Sequence, residues 1–242
     1  MDLSGFFNLI GLSRQPVSHR EKLISMTGGF LGILGILLAS GWLLEPEIAV
    51  VMTPSMGATA VLLFAAPHAT FSQPWNAIIG HTVSAIVGVT CWQWIPDLTF
   101  AASASVGLAI GAMFITRSIH PPGGATALAA VIGAENLHHL GYSYVLQPVL
   151  FNVLSIAIVA MLYNYLFHWR QYPAHLHDRK QASEPTEISL EPIKHEDFVF
   201  ALSQIETMVD IDEEDLLKIY NLATKRHVKQ YRNDAITVRN QA

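Results

Sequence analysis

The sequence predicts an all-α fold. It is a polytopic membrane helix bundle with two internal repeats and two short proline-started helices (re-entrant or broken), followed by a small cytoplasmic helical hairpin. Three observations carry this. Only five Asp, Glu, Lys or Arg residues lie between Leu23 and Trp169, namely Glu45, Glu47, Asp97, Arg117 and Glu135, where a soluble domain would carry about a quarter. Apolar segments recur at roughly 23–44, 48–66, 76–95, 101–119, 121–134 and 147–168. Finally, Thr53-Pro54-Ser55-Met56-Gly57-Ala58-Thr59-Ala60-Val61 and His120-Pro121-Pro122-Gly123-Gly124-Ala125-Thr126-Ala127-Leu128 share the pattern x-P-x-x-G-A-T-A plus an aliphatic residue, 67 positions apart.

These observations divide the 242-residue chain into an N-terminal cytoplasmic or interfacial segment (1–22), a transmembrane domain (23–169), a linker (170–193) and a cytoplasmic helical tail (194–242). At the N-terminus, Leu3 to Leu12 reads as a short interfacial helix. Basic residues follow this apolar run, the reverse of the order in a secretory signal. Crossing a bilayer takes about 20 apolar residues. Segments 23–44, 76–95 and 147–168 meet that length, and 101–119 is slightly short. The motif segments, Pro54 to Pro67 and Pro121 to Ala134, hold about 14 residues each and are too short to cross alone. Gln73-Pro74 precedes one span and Gln147-Pro148 another, 74 positions later, so the duplication extends beyond the motif. Internal symmetry with Gly/Pro-interrupted segments at matching positions points to a transporter's binding site.

Arg14, Arg20 and Lys22 precede the first span, and Arg170, Arg179 and Lys180 follow the last. The positive-inside rule then puts both termini in the cytoplasm of a multi-pass protein of the cell inner (plasma) membrane. An even number of crossings follows. Either there are four spans with re-entrant motif helices, or six passes arranged as inverted three plus three. The net charge of −5 averages over unlike parts and says little about partners. Beyond Tyr172, prolines 173, 185 and 192 mark a linker. Phe198, Leu202, Ile205 and Val209, then Leu216, Ile219 and Leu222, form helical stripes within 194–231. A hairpin that small cannot bury a sizeable core and is expected to pack on the membrane domain or on another subunit.

The motif chemistry points to an anion. Proline at the first helical turn loses no hydrogen bond, and glycines admit a ligand close to the backbone. Helix N-termini carry a partial positive charge and bind anions through bare N–H groups. In the first copy Thr53 is a suitable cap for a helix opened by Pro54. Arg117 is the one Lys or Arg between the basic ends, three residues before His120. If the preceding helix continues, the two share a face. The candidate substrate site is therefore Thr53, Pro54, Ser55, Gly57, Thr59, His81, Arg117, His120, Pro121, Pro122, Gly123, Gly124 and Thr126. Each has a plainer explanation. Arg117 can snorkel to headgroups, the small residues can serve close helix packing, and His81 can be a hydrogen-bonded packing residue. Glu135, His138 and His139 make half of a carboxylate metal site and lack the second half. The single Cys91 excludes an intrachain disulfide. No HExxH, Walker loop or nucleophile elbow is present.

The string His120-Pro121-Pro122-Gly123-Gly124-Ala125-Thr126-Ala127 resembles the signature of the HPP family of integral membrane proteins. Pro54 to Phe64, Gln73-Pro74-Trp75-Asn76 and Gly80-His81 are also similar to that family's pattern. The resemblance covers about residues 20–170 and implies four transmembrane helices. Plant chloroplast and cyanobacterial members are linked to nitrite transport, so it also implies a small monovalent anion as substrate class. The expectation is a transporter or channel for a small anion, nitrite first, bound near the bilayer midplane, and not an enzyme. No cofactor or nucleic acid is expected. The expected partners are the anion, the lipid bilayer and a second copy through the membrane domain or tail. The alternative is a membrane-embedded sensor or adaptor whose tail binds a partner.

Overall fold

The computed structural model describes residues 17–43, 46–133 and 135–176, the side chains of 42–53 and 136 excepted. The interfacial helix expected at Leu3–Leu12 and the hairpin expected within 194–231 lie outside these residues. The described residues form seven α-helices. They are α1 (His19–Leu43), α2 (Pro46–Ala65), α3 (Pro74–Trp94), α4 (Leu98–Ile115), α5 (Pro122–Ile132), α6 (Glu135–His139) and α7 (Phe151–Tyr165). A π-helical segment, Val145–Leu150, runs directly into α7. Phe30, Leu38, Leu108, Phe114, Ile115, Leu162 and Leu166 are exposed around the bundle, an apolar exterior suited to lipid.

Local chemistry sets the helix boundaries. Pro74 opens α3 at its first turn. Asp97 caps α4, its carboxylate accepting from the Phe100 N–H at 2.7 Å. The close of α4 is a Schellman turn: the Ser118 N–H reaches the Met113 carbonyl at 2.8 Å and the Arg117 N–H the Phe114 carbonyl at 3.2 Å. Arg117 takes the left-handed position with φ 53°, a place that usually falls to glycine. Two sequence expectations change here. Pro54 does not start a helix but lies inside α2, where an interior proline removes one hydrogen bond and favours a kink. Pro148 likewise lies inside the π-helical segment, whose irregular bonding tolerates a missing N–H, so the last span begins before its Gln-Pro pair.

Side-chain contacts fix which helix ends lie together. Glu21, in the first turn of α1, pairs with Arg170 beyond α7. The same guanidinium donates to the Phe64 carbonyl near the end of α2 and, at 3.0 Å, to Asn164 Oδ1. Trp169 Nε1 donates to Glu21 at 3.2 Å, and Arg20 lies 4.2 Å over the Trp169 ring. Burial pulls the Arg170 guanidinium down to about 10, which still leaves it charged at neutral pH. Tyr172 donates to the Ser72 carbonyl just before α3 at 2.7 Å, and Trp75 donates to the Thr116 carbonyl after α4 at 3.2 Å. The starts of α1 and α3 and the ends of α2, α4 and α7 thus share one end of the bundle. At the far end of α3, Trp92 stacks on His138 with centroids 3.6 Å apart, and Thr90 meets Tyr142 at 3.0 Å. Helices α5 and α6 together therefore reach the far end of α3. Of the two topologies the sequence leaves open, the packing matches three plus three passes.

Three helical segments, His19–Gly41, Leu98–Ile115 and Val145–Tyr165, are each long and apolar enough to cross a membrane. Helix α3 has the length, at 21 residues, but carries polar side chains because it occupies the interior. As third helix of the first repeat, it packs chiefly on α4 and α5 of the second. In turn α7, third of the second repeat, packs chiefly on α1 and α2 of the first. The core between them holds Met56, Leu63, Phe64, Val149, Val153 and Ile156.

Candidate functional site

Helix α5 begins inside the bundle. The loop before it is held to α3 by Asn76 Nδ2, which donates to the Ile119 carbonyl at 2.9 Å. Backbones then approach closely along one face of α3. A Cβ placed on Gly80 would lie 2.7 Å from the Ser118 carbonyl oxygen and 2.8 Å from the His120 Cβ. One on Gly88 would lie 2.5 Å from the Ala127 carbonyl oxygen. One on Gly123 would lie 2.8 Å from Ser84 Oγ. Gly80, Ser84 and Gly88 are spaced four apart, the small-residue rail that brings helix backbones together in membranes. Pro122 is thus level with the second turn of α3, about 9 Å along that helix from its start.

At this level the two motif copies meet. Thr59 Oγ1 lies 2.8 Å from His81 Nε2 and 3.1 Å from His120 Nε2. His81 Nδ1 lies 2.7 Å from Thr126 Oγ1, and His120 Nδ1 lies 2.7 Å from the Phe71 carbonyl oxygen. All four side chains have 0% exposure, and the two imidazole centroids are 4.9 Å apart. Tyr144 closes the cluster from the π-helical side, donating to the Thr126 carbonyl at 3.0 Å. Ser84, one turn beyond His81, has a buried hydroxyl with no hydrogen-bond partner, a costly state unless something else uses it.

Of the residues singled out in the sequence, Thr59, His81, His120 and Thr126 converge, with Pro122 and Gly123 buried beside them. Ser55 is also buried, and its carbonyl oxygen lies 3.0 Å from Thr59 Oγ1. Pro54 and Pro121 are exposed, and a Cβ on Gly57 would meet nothing within 4 Å. Gly124 meets only Val106, at 3.9 Å. The side chain of Thr53 lies outside the described set. Arg117 is exposed on its turn and does not share a helical face with His120, because α4 ends at Ile115. The expectation of bare N–H groups is corrected as well. The Gly123 N–H bonds the His120 carbonyl at 2.8 Å and that of Gly124 the Pro121 carbonyl at 3.1 Å. The positive helix end remains, with those two donors engaged.

Ser84 and Tyr144 were missed at the sequence level. The Gly80-x-x-x-Ser84-x-x-x-Gly88 spacing could have found the first. His138, half of the doubtful metal pattern, donates to the Val131 carbonyl at 3.1 Å and is tied to that role. Among the described residues no three His, Cys, Asp or Glu side chains are grouped to hold a metal.

Residues 14–173, well over half of the chain, match the family described as "HPP, transmembrane region". A transmembrane protein of Dictyostelium discoideum is 37% identical over 153 residues, covering 62% of this chain and 49% of its own length. A second transmembrane protein of that organism is 33% identical over 166 residues, 66% of this chain and 58% of its own. The chain thus spans roughly half the length of these relatives. No solved structure matches. With the all-helical bundle and the paired motifs, that match makes this chain a membrane protein of the HPP family.

Proposed function

We propose that the chain is a transporter for a small monovalent anion, with nitrite the first candidate, and not an enzyme. The observation that carries this is the buried cluster of Thr59, His81, His120 and Thr126, built from both motif copies at the start of α5. Polar and ionisable side chains inside a membrane domain are expensive and by default mark a transport path. The positive end of α5 favours a negative ligand, and the unpartnered Ser84 hydroxyl beside Gly123 supplies a donor for it. Nitrite comes from the family resemblance. The Lys and Arg distribution supports an inner (plasma) membrane protein with both termini cytoplasmic, and an exposed apolar face leaves room for a homo-oligomer. The test is nitrite uptake by liposomes containing the purified protein, against protein-free vesicles. Uptake above the control that chloride or nitrate competes supports the reading; uptake equal to the control overturns it.

A further inference from the structure

The buried cluster has a direction. A carbonyl oxygen can only accept, so the 2.7 Å contact to Phe71 puts a hydrogen on His120 Nδ1. With both rings neutral, His120 Nε2 must then accept from its neighbour, the Thr59 hydroxyl at 3.1 Å. Thr59 has one hydrogen, which His120 Nε2 takes in place of the Ser55 carbonyl 3.0 Å away, so His81 Nε2 must donate to Thr59 at 2.8 Å. His81 Nδ1 is left to accept from Thr126 at 2.7 Å. One arrangement alone satisfies all four ring nitrogens: Thr126 to His81 to Thr59 to His120 to the Phe71 carbonyl. His81, Thr59 and His120 each accept and donate along this line, and Thr126 donates into it, as a proton-relay chain requires. It runs from mid-bundle to the connecting turn at Phe71, which is 36% exposed.

We propose that this line is a proton relay and that His120 holds the proton that travels with the anion. The step balances. A proton from water or from the protonated weak acid forms a new O–H bond on Thr126 as the old one passes to His81 Nδ1. His81 gives its Nε2 hydrogen to Thr59, and Thr59 gives its former hydrogen to His120 Nε2. One proton has been added, His81 has changed tautomer, and His120 is an imidazolium donating to Thr59 and to the Phe71 carbonyl.

Charge makes the step conditional. The titratable groups facing His120 are His81, at 4.9 Å between centroids, and Tyr144, which reaches the cluster through the Thr126 backbone. The ion pairs among the described residues, Glu135 with His139 and Glu21 with Arg170, are elsewhere. Among the described residues no carboxylate is placed to balance a cation there, and the positive end of α5 opposes one. An anion at that helix end beside Ser84 removes the opposition. Anion and proton therefore enter together, one to one and without net charge, which rests on the anion reading above.

Proteoliposomes with an entrapped pH indicator and a clamped membrane potential test this, with nitrite uptake assayed in parallel. The expected result is one proton per nitrite and uptake insensitive to potential. Thr59→Val is expected to lower protons per nitrite about tenfold or more, and Thr59→Ser to restore them. Potential-driven nitrite uptake without protons, or an unchanged ratio in Thr59→Val, overturns the relay and leaves the anion reading standing. Absence of any nitrite uptake overturns the anion reading. In that case imidazole ¹⁵N shifts still decide the relay: His81 protonated on Nε2 and His120 on Nδ1 support it, and the opposite tautomers overturn it.

Discussion

Thr59 and Thr126 hold the same place in the two motif copies, 67 residues apart, and hydrogen-bond to opposite nitrogens of one imidazole, that of His81. The duplication therefore converges on a single side chain that is not itself duplicated: the position 74 residues after His81 is Ser155, which bonds its own helix at the Phe151 carbonyl. A symmetric scaffold here carries an asymmetric polar centre.

Ser84 separates function from stability. Its hydroxyl is buried without a partner, so Ser84→Ala removes an unsatisfied group and is expected to leave the thermal unfolding midpoint unchanged or raised. Nitrite flux is expected to fall at the same time, by about tenfold for the loss of roughly 1.4 kcal/mol of anion contact. A lower midpoint with unchanged flux would make Ser84 a packing residue.

Gly88 is set for contact. Alanine there would press a methyl against the Ala127 carbonyl at 2.5 Å, and the separation of α3 from α5 is expected to cost about 1–3 kcal/mol. Gly107, on α4 with nothing within 4 Å of its added Cβ, is the control: alanine there is expected to stabilise by about 0.5–1 kcal/mol. Unfolding midpoints in detergent that rank the two variants the other way would contradict the close approach.

Arg117 occupies a glycine position in the Schellman turn. Arg117→Gly is expected to stabilise by up to about 1 kcal/mol and to keep nitrite flux, because the side chain is exposed. A marked loss of flux would return Arg117 to the anion path.

Much of the fold was legible because its signals are local. Charge depletion located the membrane domain, and proline with glycine marked where α5 begins. Pro54 misled because the shared motif opens a helix in the second copy and sits within one in the first. Arg117 misled because no property of arginine announces a left-handed turn. The partners of His81 lie 22 residues before it and 45 after, a convergence that only the exchange of α3 into the second repeat creates. His81 and His120 could be marked as unusual from sequence, while their hydrogen-bonded order could not.

The Glu21–Arg170 pair is a second place where distant chain meets. Arg170 is wholly buried and bonds α1, the end of α2 and Asn164 on α7. Glu21→Gln is expected to cost about 3–5 kcal/mol, since it leaves a buried guanidinium without its counter-charge. The double variant Glu21→Gln, Arg170→Met is expected to recover part of that loss in denaturant unfolding. Additive losses would deny the coupling.

The exchange of third helices also governs how the protein is made. When α3 leaves the ribosome, its rail of small residues and the Nδ1 edge of the His81 imidazole face neighbours that do not yet exist, because α5 follows it in the chain. The half-built domain must shelter a polar helix until the second repeat arrives. The bundle itself is complete only when α7 packs against α1 and α2.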